Sequence, residues 1–263
     1  MQSQHLPTTA TVGGGLLQTP AVTDGRLAGG DLSREEEIAT EDHNEKARKQ
    51  PFDFLIILDF EATCLEHGRI SPQEVIEFPS VILDIRHPRH VKIVDTFESF
   101  VRPVHHPILT EFCTSLTSIT QDDVDQAETF EQVFKRHQLW LAAHELLMSD
   151  RAVFVTCGDW DLKTCFPCQI KCSHISSYPS IYSRWINIKV TFHKSQGVAP
   201  RGMQSLLDFF RLTLDGTHHR GIDDCRNIAK IAIQLLRRGA LFETTGVAGA
   251  GGTNALWQRK KKQ

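Results

Sequence analysis

Two carboxylates lie where the most hydrophobic stretch of the chain ends. Residues 54–60, FLIILDF, are almost continuously apolar, with Asp59 inside the stretch and Glu61 directly after it. Side chains two positions apart in a strand point to the same face, so we expect these carboxylates to project together. Adjacent negative charges at the end of a buried strand repel each other unless a cation lies between them. Oxygen ligands suit Mg²⁺ or Mn²⁺, and a strand that ends in solvated acids is the alternative interpretation.

A third carboxylate faces the core of a predicted helix. Over residues 223–238 apolar residues recur at helical spacing, and Asp224 is in register with Ile228, Ile231 and Leu235. An unpaired carboxylate on the inward face of a helix is costly, because burial removes its hydration. We therefore expect Asp224 to have a partner that the helix itself does not supply.

The neighbouring Asp223 has a different predicted environment. It aligns with Asn227, Lys230 and Gln234, which we place on the solvent face of the same helix. An aspartate in the first turn of a helix commonly caps it or complements its dipole. Asp223 therefore needs no chemical role to explain its position.

Two histidines precede this pair of aspartates. His218 and His219 precede Asp223 and Asp224 respectively by the same gap of four intervening residues, so His219 is the histidine in register with Asp224. A histidine beside a metal-bound carboxylate can serve as a general base near neutral pH. A solvated loop histidine is the alternative interpretation, and spacing by itself does not decide between the two.

A further acidic segment, GDWDLKTC at residues 158–165, joins a predicted strand to a predicted helix. Either Asp159 or Asp161 could cap that helix. Asp161 shares an approximate helical face with the cysteines that follow it, although Pro167 disturbs the periodicity. The residues themselves therefore favour Asp161 only weakly.

The elements that must position these side chains form a mixed sheet with helices. Predicted strands cover residues 54–60, 75–85, 91–101 and 152–157, and predicted helices cover 118–126, 129–148 and 223–238. The link between the second and third strands is too short for a crossover helix, so these two strands should pair antiparallel. Pro79 lies inside the second strand and predicts a bulge or an edge there. We expect one α/β domain with a mixed central β-sheet flanked by helices.

Composition limits the domain to the middle of the chain. The chain has 263 residues, 40% of them hydrophobic, which excludes a fibrous or wholly disordered protein. Residues 1–50 and 246–263 are poor in core residues, so we predict a disordered arm, a domain over 51–245 and a disordered basic tail. The basic cluster of the tail is read as a flexible charged terminus, with a nuclear import signal as the alternative.

Charge and hydropathy restrict the partners that we expect. The chain lacks a long apolar run and a secretory signal, so we expect no membrane partner and an intracellular location, cytoplasmic or nuclear. Residues 51–245 carry a net charge of −4. A protein that binds nucleic acid by neutralising phosphates is usually basic. Composition alone therefore does not indicate a nucleic-acid partner.

Five segments together resemble a known enzyme family. They are DFEATC at 59–64, EFCTSLTSIT at 111–120, CGDWDLKT at 157–164, RWINIK at 184–189 and HHRGIDDCRNIA at 218–229. In this order they resemble the DEDDh 3'-to-5' exonucleases, and more narrowly the enhanced-RNAi (ERI-like) branch of exoribonucleases. The resemblance covers residues 52–242 and implies a ribonuclease H-like fold.

The resemblance implies roles for particular residues. The opening acidic pair of the family falls on Asp59 and Glu61, the central aspartate on Asp161 rather than Asp159, and the closing pair on His219 and Asp224. Asp59, Glu61, Asp161 and Asp224 are then metal ligands, His219 is the general base, and Glu61, Ala62, Trp160 and His219 meet the substrate. Ala62 would contact the terminal nucleotide through its backbone. Trp160 would pack near the base, with a core role as the alternative.

The resemblance also implies an activity, a cofactor and a partner. Two Mg²⁺ ions per site, with Mn²⁺ able to substitute, would be held by the four carboxylates. The partner would be RNA with a single-stranded 3' end or overhang, and the products would be nucleoside 5'-monophosphates. Two ions add four positive charges and offset the acidity of the domain. An exodeoxyribonuclease with the same fold and a non-catalytic RNA-binding module remain the alternatives.

Overall fold

A computed structural model describes residues 49–87 and 90–248 of the chain. Most of the predicted arm and most of the predicted basic tail lie outside the described residues. In the described ranges, no helix combines the length and the apolar character that crossing a membrane requires.

A mixed six-stranded sheet forms the centre of the domain. The described residues contain eight strands in all, namely β1 (Phe54–Leu58), β2 (Glu61–Ala62), β3 (Val75–Glu77), β4 (Ser80–Asp84), β5 (Lys92–Phe97), β6 (Ala152–Thr156), β7 (Arg184–Asn187) and β8 (Gly246–Val247). The order in the main sheet is β5-β4-β1-β6-β7-β8, and β2 pairs with β3 in a small second sheet. β1 pairs antiparallel with β4 and parallel with β6, so the mixed sheet predicted from the sequence is confirmed.

The described residues form seven α-helices. They are α1 (Glu111–Thr117), α2 (Gln121–Asp125), α3 (Phe130–Ala143), α4 (Phe166–Cys172), α5 (Ile188–Gln196), α6 (Met203–Phe210) and α7 (Gly221–Arg237). Of these, α3 and α4 pack on one face of the main sheet and α5, α6 and α7 on the other. A π-helical turn at Asp161–Cys165 precedes α4. The predicted long helix over 129–148 is shorter in the structure, because the chain leaves the helix after Ala143 and reaches a positive φ at Glu145.

Strand β1 is buried on both faces, as its apolar composition predicts. Leu55 and Ile57 pack in a cluster with the inward face of α7, while Ile56 and Leu58 pack in a second cluster with α3. All four side chains are fully buried. Because alternate residues point to opposite faces, a strand between two helical layers must be apolar at every position.

The predicted strand over residues 75–85 divides at Pro79. β3 ends at Glu77 and pairs with β2, whereas β4 starts at Ser80 and pairs with β1 and β5. Proline lacks the N–H that a central strand requires, so the chain changes sheets at this point. The predicted antiparallel pairing with the following strand is present between β4 and β5. The bulge in that pair lies between Ile82 and Leu83 rather than at Pro79.

The structured part of the chain extends slightly past the predicted domain boundaries. Gln50 is buried and its side chain hydrogen-bonds the backbone of Ala240 and Phe242. Gly246, predicted as the first residue of a disordered tail, lies in β8 opposite Trp185. A Cβ at Gly246 would collide with the Trp185 ring, so the absence of a side chain permits this contact. The composition of residues 246–263 predicted a tail from its start, because composition carries no information on which distant strand a residue pairs with.

Candidate active site

Acidic side chains from three segments meet at one end of the central strands. Carboxylate oxygens of Asp59, at the end of β1, Glu61 in β2 and Asp224 in α7 lie within 4.8 Å of one another. Glu61 and Asp224 are buried, with 8% and 4% of their surface exposed. Asp59 and Glu61 project together, as strand alternation predicts. The three carboxylates could share one cation.

Asp161 reaches the same place from the π-helical turn that it begins. Its Oδ1 accepts a hydrogen bond of 2.9 Å from the backbone N–H of Phe60, the residue between Asp59 and Glu61. Asp159 has another role, since its Oδ1 accepts a 2.8 Å hydrogen bond from the indole N–H of Trp185. The structure therefore places Asp161, and not Asp159, beside the acidic pair.

Asp224 occupies the first turn of α7 with one oxygen unpartnered. Its Oδ2 accepts a hydrogen bond of 3.0 Å from the backbone N–H of His219. Its Oδ1 is buried and has no hydrogen-bond partner among the described residues. A buried carboxylate oxygen without a donor is costly, which indicates that a ligand supplies the missing partner.

The sequence predicted that Asp223 and Asn227 lie on the solvent face of α7, which is correct for Asp223 and wrong for Asn227. Asp223 is half-buried, accepts a hydrogen bond from the Thr217 N–H and pairs with Arg226. Asn227 is fully buried, and its side chain hydrogen-bonds both backbone groups of Asp215. The loop before α7 folds over this face of the helix, and periodicity within the helix does not reveal such a loop.

Burial raises the pKa of every carboxyl in this cluster, and repulsion from the other cluster carboxylates adds to the rise for Asp59 and Glu61. Burial, followed by the charge of Asp161, places the pKa of Asp59 well above its usual range. Burial and the charge of Asp224 raise the pKa of Glu61 to about 9. Burial raises the pKa of both Asp161 and Asp224 to about 6. Four carboxylates that resist ionisation together are suited to a site where divalent cations compensate their charge.

The donor set fits a hard divalent cation. All four side chains offer carboxylate oxygens, which Mg²⁺ and Mn²⁺ prefer over nitrogen or sulfur ligands. The free Oδ1 of Asp224 and the raised pKa values both indicate positive charge that the protein does not provide. The cluster is therefore a candidate divalent-metal site.

Two imidazoles border the acidic cluster. Ligand atoms of His218, His219 and Asp224 lie within 4.8 Å of one another, and the two imidazole rings stack at 4.0 Å. Burial and the charge of His218 lower the pKa of His219, so its imidazole is neutral near pH 7. His219 has a φ of 65°, a conformation that the hydrogen bond from its N–H to Asp224 stabilises. The structure adds His218 to the site, a role that spacing had not assigned to it.

A cleft of about 470 Å³ opens beside these groups, within the size range of small-ligand sites. Ala62 and Trp160 both line it, and Trp160 is 38% exposed, so its indole does not lie in the core. The cleft also contains residues that the sequence did not indicate, namely Gln73, Leu116, Gly202, Met203 and Gln204. These residues come from separate loops and helices that only the fold brings together, so no pattern within one segment predicts that they line the cleft.

The raised pKa of Glu61 predicts a pH-dependent stability in the absence of divalent cations. Glu61 holds its proton up to about pH 9 in the folded chain, whereas an unfolded glutamate releases it near 4.5. Between pH 4.5 and about pH 9 the folded state binds one proton more than the unfolded state. The free energy of unfolding is therefore greatest at the acidic end of this range and falls as the pH rises. For one proton the slope reaches about 1.4 kcal/mol per pH unit.

Urea unfolding in EDTA between about pH 5 and pH 9 measures this slope. Glu61→Gln should make the slope shallower by up to about 1.4 kcal/mol per pH unit, because the amide does not titrate, while the other carboxyls of the cluster still do. Glu66→Gln, at an exposed position of the following loop, is the control and should leave the slope as in the wild type. The same slope in Glu61→Gln and wild type would contradict the assignment.

Comparison with known proteins gives one consistent result. The Exonuclease family (RNase_T) matches residues 56–232. ERI1 exoribonuclease 3 of Homo sapiens is 41% identical over 200 residues, which are 74% of this chain and 57% of that protein. The 3'-5' exoribonuclease 1 of Homo sapiens is 39% identical over 194 residues, which are 72% of this chain and 54% of that protein. The chain therefore spans somewhat more than half the length of these curated relatives.

Solved structures agree with this similarity. The nuclease domain of 3'hExo, a DEDDh family member bound to rAMP, is 36% identical with a TM-score of 0.69, over 74% of this chain and 98% of that one. A 3'-exonuclease in 3'-end specific recognition of a histone mRNA stem-loop is 34% identical with a TM-score of 0.72, over 77% of this chain and 70% of that one.

Proposed function

Because this chain belongs to the Exonuclease family, and within it to the DEDDh enzymes similar to ERI1 exoribonucleases, we propose that it is a 3'-to-5' exoribonuclease. It hydrolyses RNA from the 3' end and releases nucleoside 5'-monophosphates. One observation carries the proposal: four carboxylates from four chain segments meet two imidazoles in a single cleft, and Asp224 Oδ1 there has no partner within the described part of the chain. We assign the activity to the domain predicted over residues 51–245.

Asp59, Glu61, Asp161 and Asp224 are the proposed metal ligands, and Mg²⁺ is the proposed ion, two per site, with Mn²⁺ able to substitute. Bound divalent cations supply charge neutralisation at the phosphate and lower the pKa of water. The protein holds the ligands rigidly, since the Phe60 N–H fixes Asp161 and the His219 N–H fixes Asp224. Ligands fixed before binding reduce the reorganisation that catalysis would otherwise require.

His219 is the proposed general base. Its lowered pKa leaves the imidazole neutral near pH 7, so one ring nitrogen is free to accept a proton from the attacking water. The hydrogen bond from its own N–H to Asp224 ties the base to a metal ligand, so the two groups keep a constant separation. The half-buried ring lies beside the cleft, where the scissile phosphate would enter.

Two further residues are proposed to hold the terminal nucleotide. Ala62 follows Glu61 at the end of β2 and lines the cleft, where its backbone is proposed to contact the terminal nucleotide. Trp160 offers an exposed indole face on which a base can stack, an interaction worth about 1–3 kcal/mol and tolerant of sequence. The cleft volume suits one nucleotide rather than a duplex. A single-stranded 3' end is therefore the proposed substrate.

The proposal is tested on 5'-labelled single-stranded RNA and on the DNA oligomer of the same sequence. The expected result is stepwise shortening of the RNA from its 3' end with release of nucleoside 5'-monophosphates. The His219→Ala chain, purified in parallel, controls for contaminating nucleases. Faster degradation of the DNA would replace this proposal with an exodeoxyribonuclease. Retention of both oligomers would contradict it and favour a non-catalytic RNA-binding module.

A further inference from the structure

Glu77 is a buried carboxylate that is not among the proposed metal ligands, and it connects β2, which carries Glu61, to α7, which carries Asp224. Glu77, in β3, has no exposed surface and lies opposite Glu61 in the pairing of β3 with β2. We propose that Glu77 is a positioning residue that fixes α7, and with it Asp224, relative to Asp59 and Glu61. This inference rests on the proposed function, because it assigns Glu77 to the assembly of that same site.

Among the described residues, the hydrogen bonds of the Glu77 side chain come from the start of α7. Its Oε2 accepts a hydrogen bond of 2.9 Å from the Gly221 N–H, and its Oε1 accepts one of 3.2 Å from the Ile222 N–H. The first N–H groups of a helix have no partner inside the helix and carry partial positive charge. A carboxylate at this position therefore holds the helix terminus from outside it.

Gly221 shows how closely this helix terminus approaches the site. A Cβ on Gly221 would lie 2.8 Å from the carbonyl oxygen of Asp59 and 2.9 Å from Pro79 Cγ. The start of α7 therefore packs directly on the end of β1, three residues before Asp224. A displacement of about 1 Å here would move one metal ligand relative to another, a change that can cost about 100-fold in rate.

Arg220 balances the charge of Glu77. Its Nε lies 3.3 Å from Glu77 Oε1, its second guanidinium nitrogen lies 3.1 Å from Glu98, and the group stacks over the Phe100 ring at 4.4 Å. Arg220 lies between His219 and Gly221 in the chain. The ion pair therefore also restrains the backbone of the proposed general base.

Glu74 provides a matched control three residues earlier in the chain. It is also buried, with 2% of its surface exposed, and its carboxylate accepts hydrogen bonds from the N–H groups of Val104, His105 and His106 at 2.7 to 2.9 Å. These donors belong to a loop that contributes no residue to the cleft. Loss of either carboxylate leaves buried donors unpaired, but only Glu77 contacts α7.

The experiment compares Glu77→Gln with Glu74→Gln in the full chain. Each amide keeps the size of the side chain but turns an N–H₂ group toward backbone N–H donors. The first measurement is the rise in melting temperature on adding Mn²⁺ without nucleic acid. The second is the Mn²⁺ concentration for half-maximal cleavage of RNA, together with kcat and KM.

Glu77→Gln is expected to at least halve the Mn²⁺-induced rise in melting temperature and to increase the half-maximal Mn²⁺ concentration by about 10-fold. Its kcat should fall by about the same factor, with a smaller change in KM. Glu74→Gln should lower the melting temperature without metal but keep the wild-type response to Mn²⁺. Equal Mn²⁺ responses in the two variants would overturn the proposal.

A second variant covers the case in which Glu77→Gln does not fold. Arg220→Gln removes the ion pair and leaves both hydrogen bonds to α7, so it should weaken the Mn²⁺ response in the same direction. A wild-type response in Arg220→Gln would then overturn the proposal. Because melting is measured without nucleic acid, a selective loss in Glu77→Gln combined with an inactive wild type would overturn only the proposed function.

Discussion

Asp224→Asn is expected to lower the rate of RNA cleavage by about 1,000-fold or more while the chain stays folded. The amide has nearly the same size as the carboxylate, but it lacks the negative charge that a divalent cation requires. No residue that the structure describes donates to Asp224 Oδ1, so the substitution breaks no hydrogen bond seen at that atom. A catalytic metal contributes several kcal/mol to the transition state, and each 1.36 kcal/mol corresponds to about tenfold in rate.

Asp223→Asn is the matched control for this substitution. Asp223 precedes Asp224 in the same turn, but its carboxylate bonds the Thr217 N–H and Arg226 outside the acidic cluster. The loss of such a surface pair costs about 1 kcal/mol or less in stability, and the rate should change less than about tenfold. Single-turnover cleavage of labelled RNA at saturating Mg²⁺ measures both effects. Equal losses from the two substitutions would show that the inward face of α7 is misassigned.

Removal of divalent cations is expected to abolish cleavage altogether. In EDTA the four carboxylates would lose the cations proposed to compensate their charge, and the raised pKa of Glu61 would keep a proton on one of the proposed ligands. Mg²⁺ or Mn²⁺ added in excess of the chelator should restore activity, since both ions accept oxygen ligands. The assay is RNA cleavage after dialysis against EDTA, followed by titration of each ion.

The control for chelation is EDTA that has been saturated with Mg²⁺ before addition. It contains the same chelator and should leave cleavage unchanged, which separates metal removal from any other effect of EDTA. Activity that persists at the wild-type rate after complete chelation would exclude a metal-dependent mechanism. It would also leave the unpartnered oxygen of Asp224 without an explanation.

The amino-acid sequence determined the features that depend on local periodicity. The apolar run of β1 predicted a strand covered on both faces, and alternation placed Asp59 and Glu61 on one side. Helical spacing distinguished the inward Asp224 from the outward Asp223, and the short link predicted the antiparallel pair of β4 and β5. The resemblance to DEDDh exonucleases is confirmed by the match of the Exonuclease family to residues 56–232. These features could be predicted because neighbouring residues along the chain specify them.

Only the tertiary structure decided which groups from distant segments meet. No sequence pattern marks Glu77. Its side chain accepts hydrogen bonds from the N–H groups of Gly221 and Ile222, which lie 144 and 145 positions later in the chain. Asn227 is buried by a loop, and Gly246 joins the sheet because Trp185 leaves no room for a side chain. Such contacts depend on the packing of separate elements, which periodicity within one element does not encode. Local pattern therefore specified which way the acids point, and long-range packing specified the groups that hold them there.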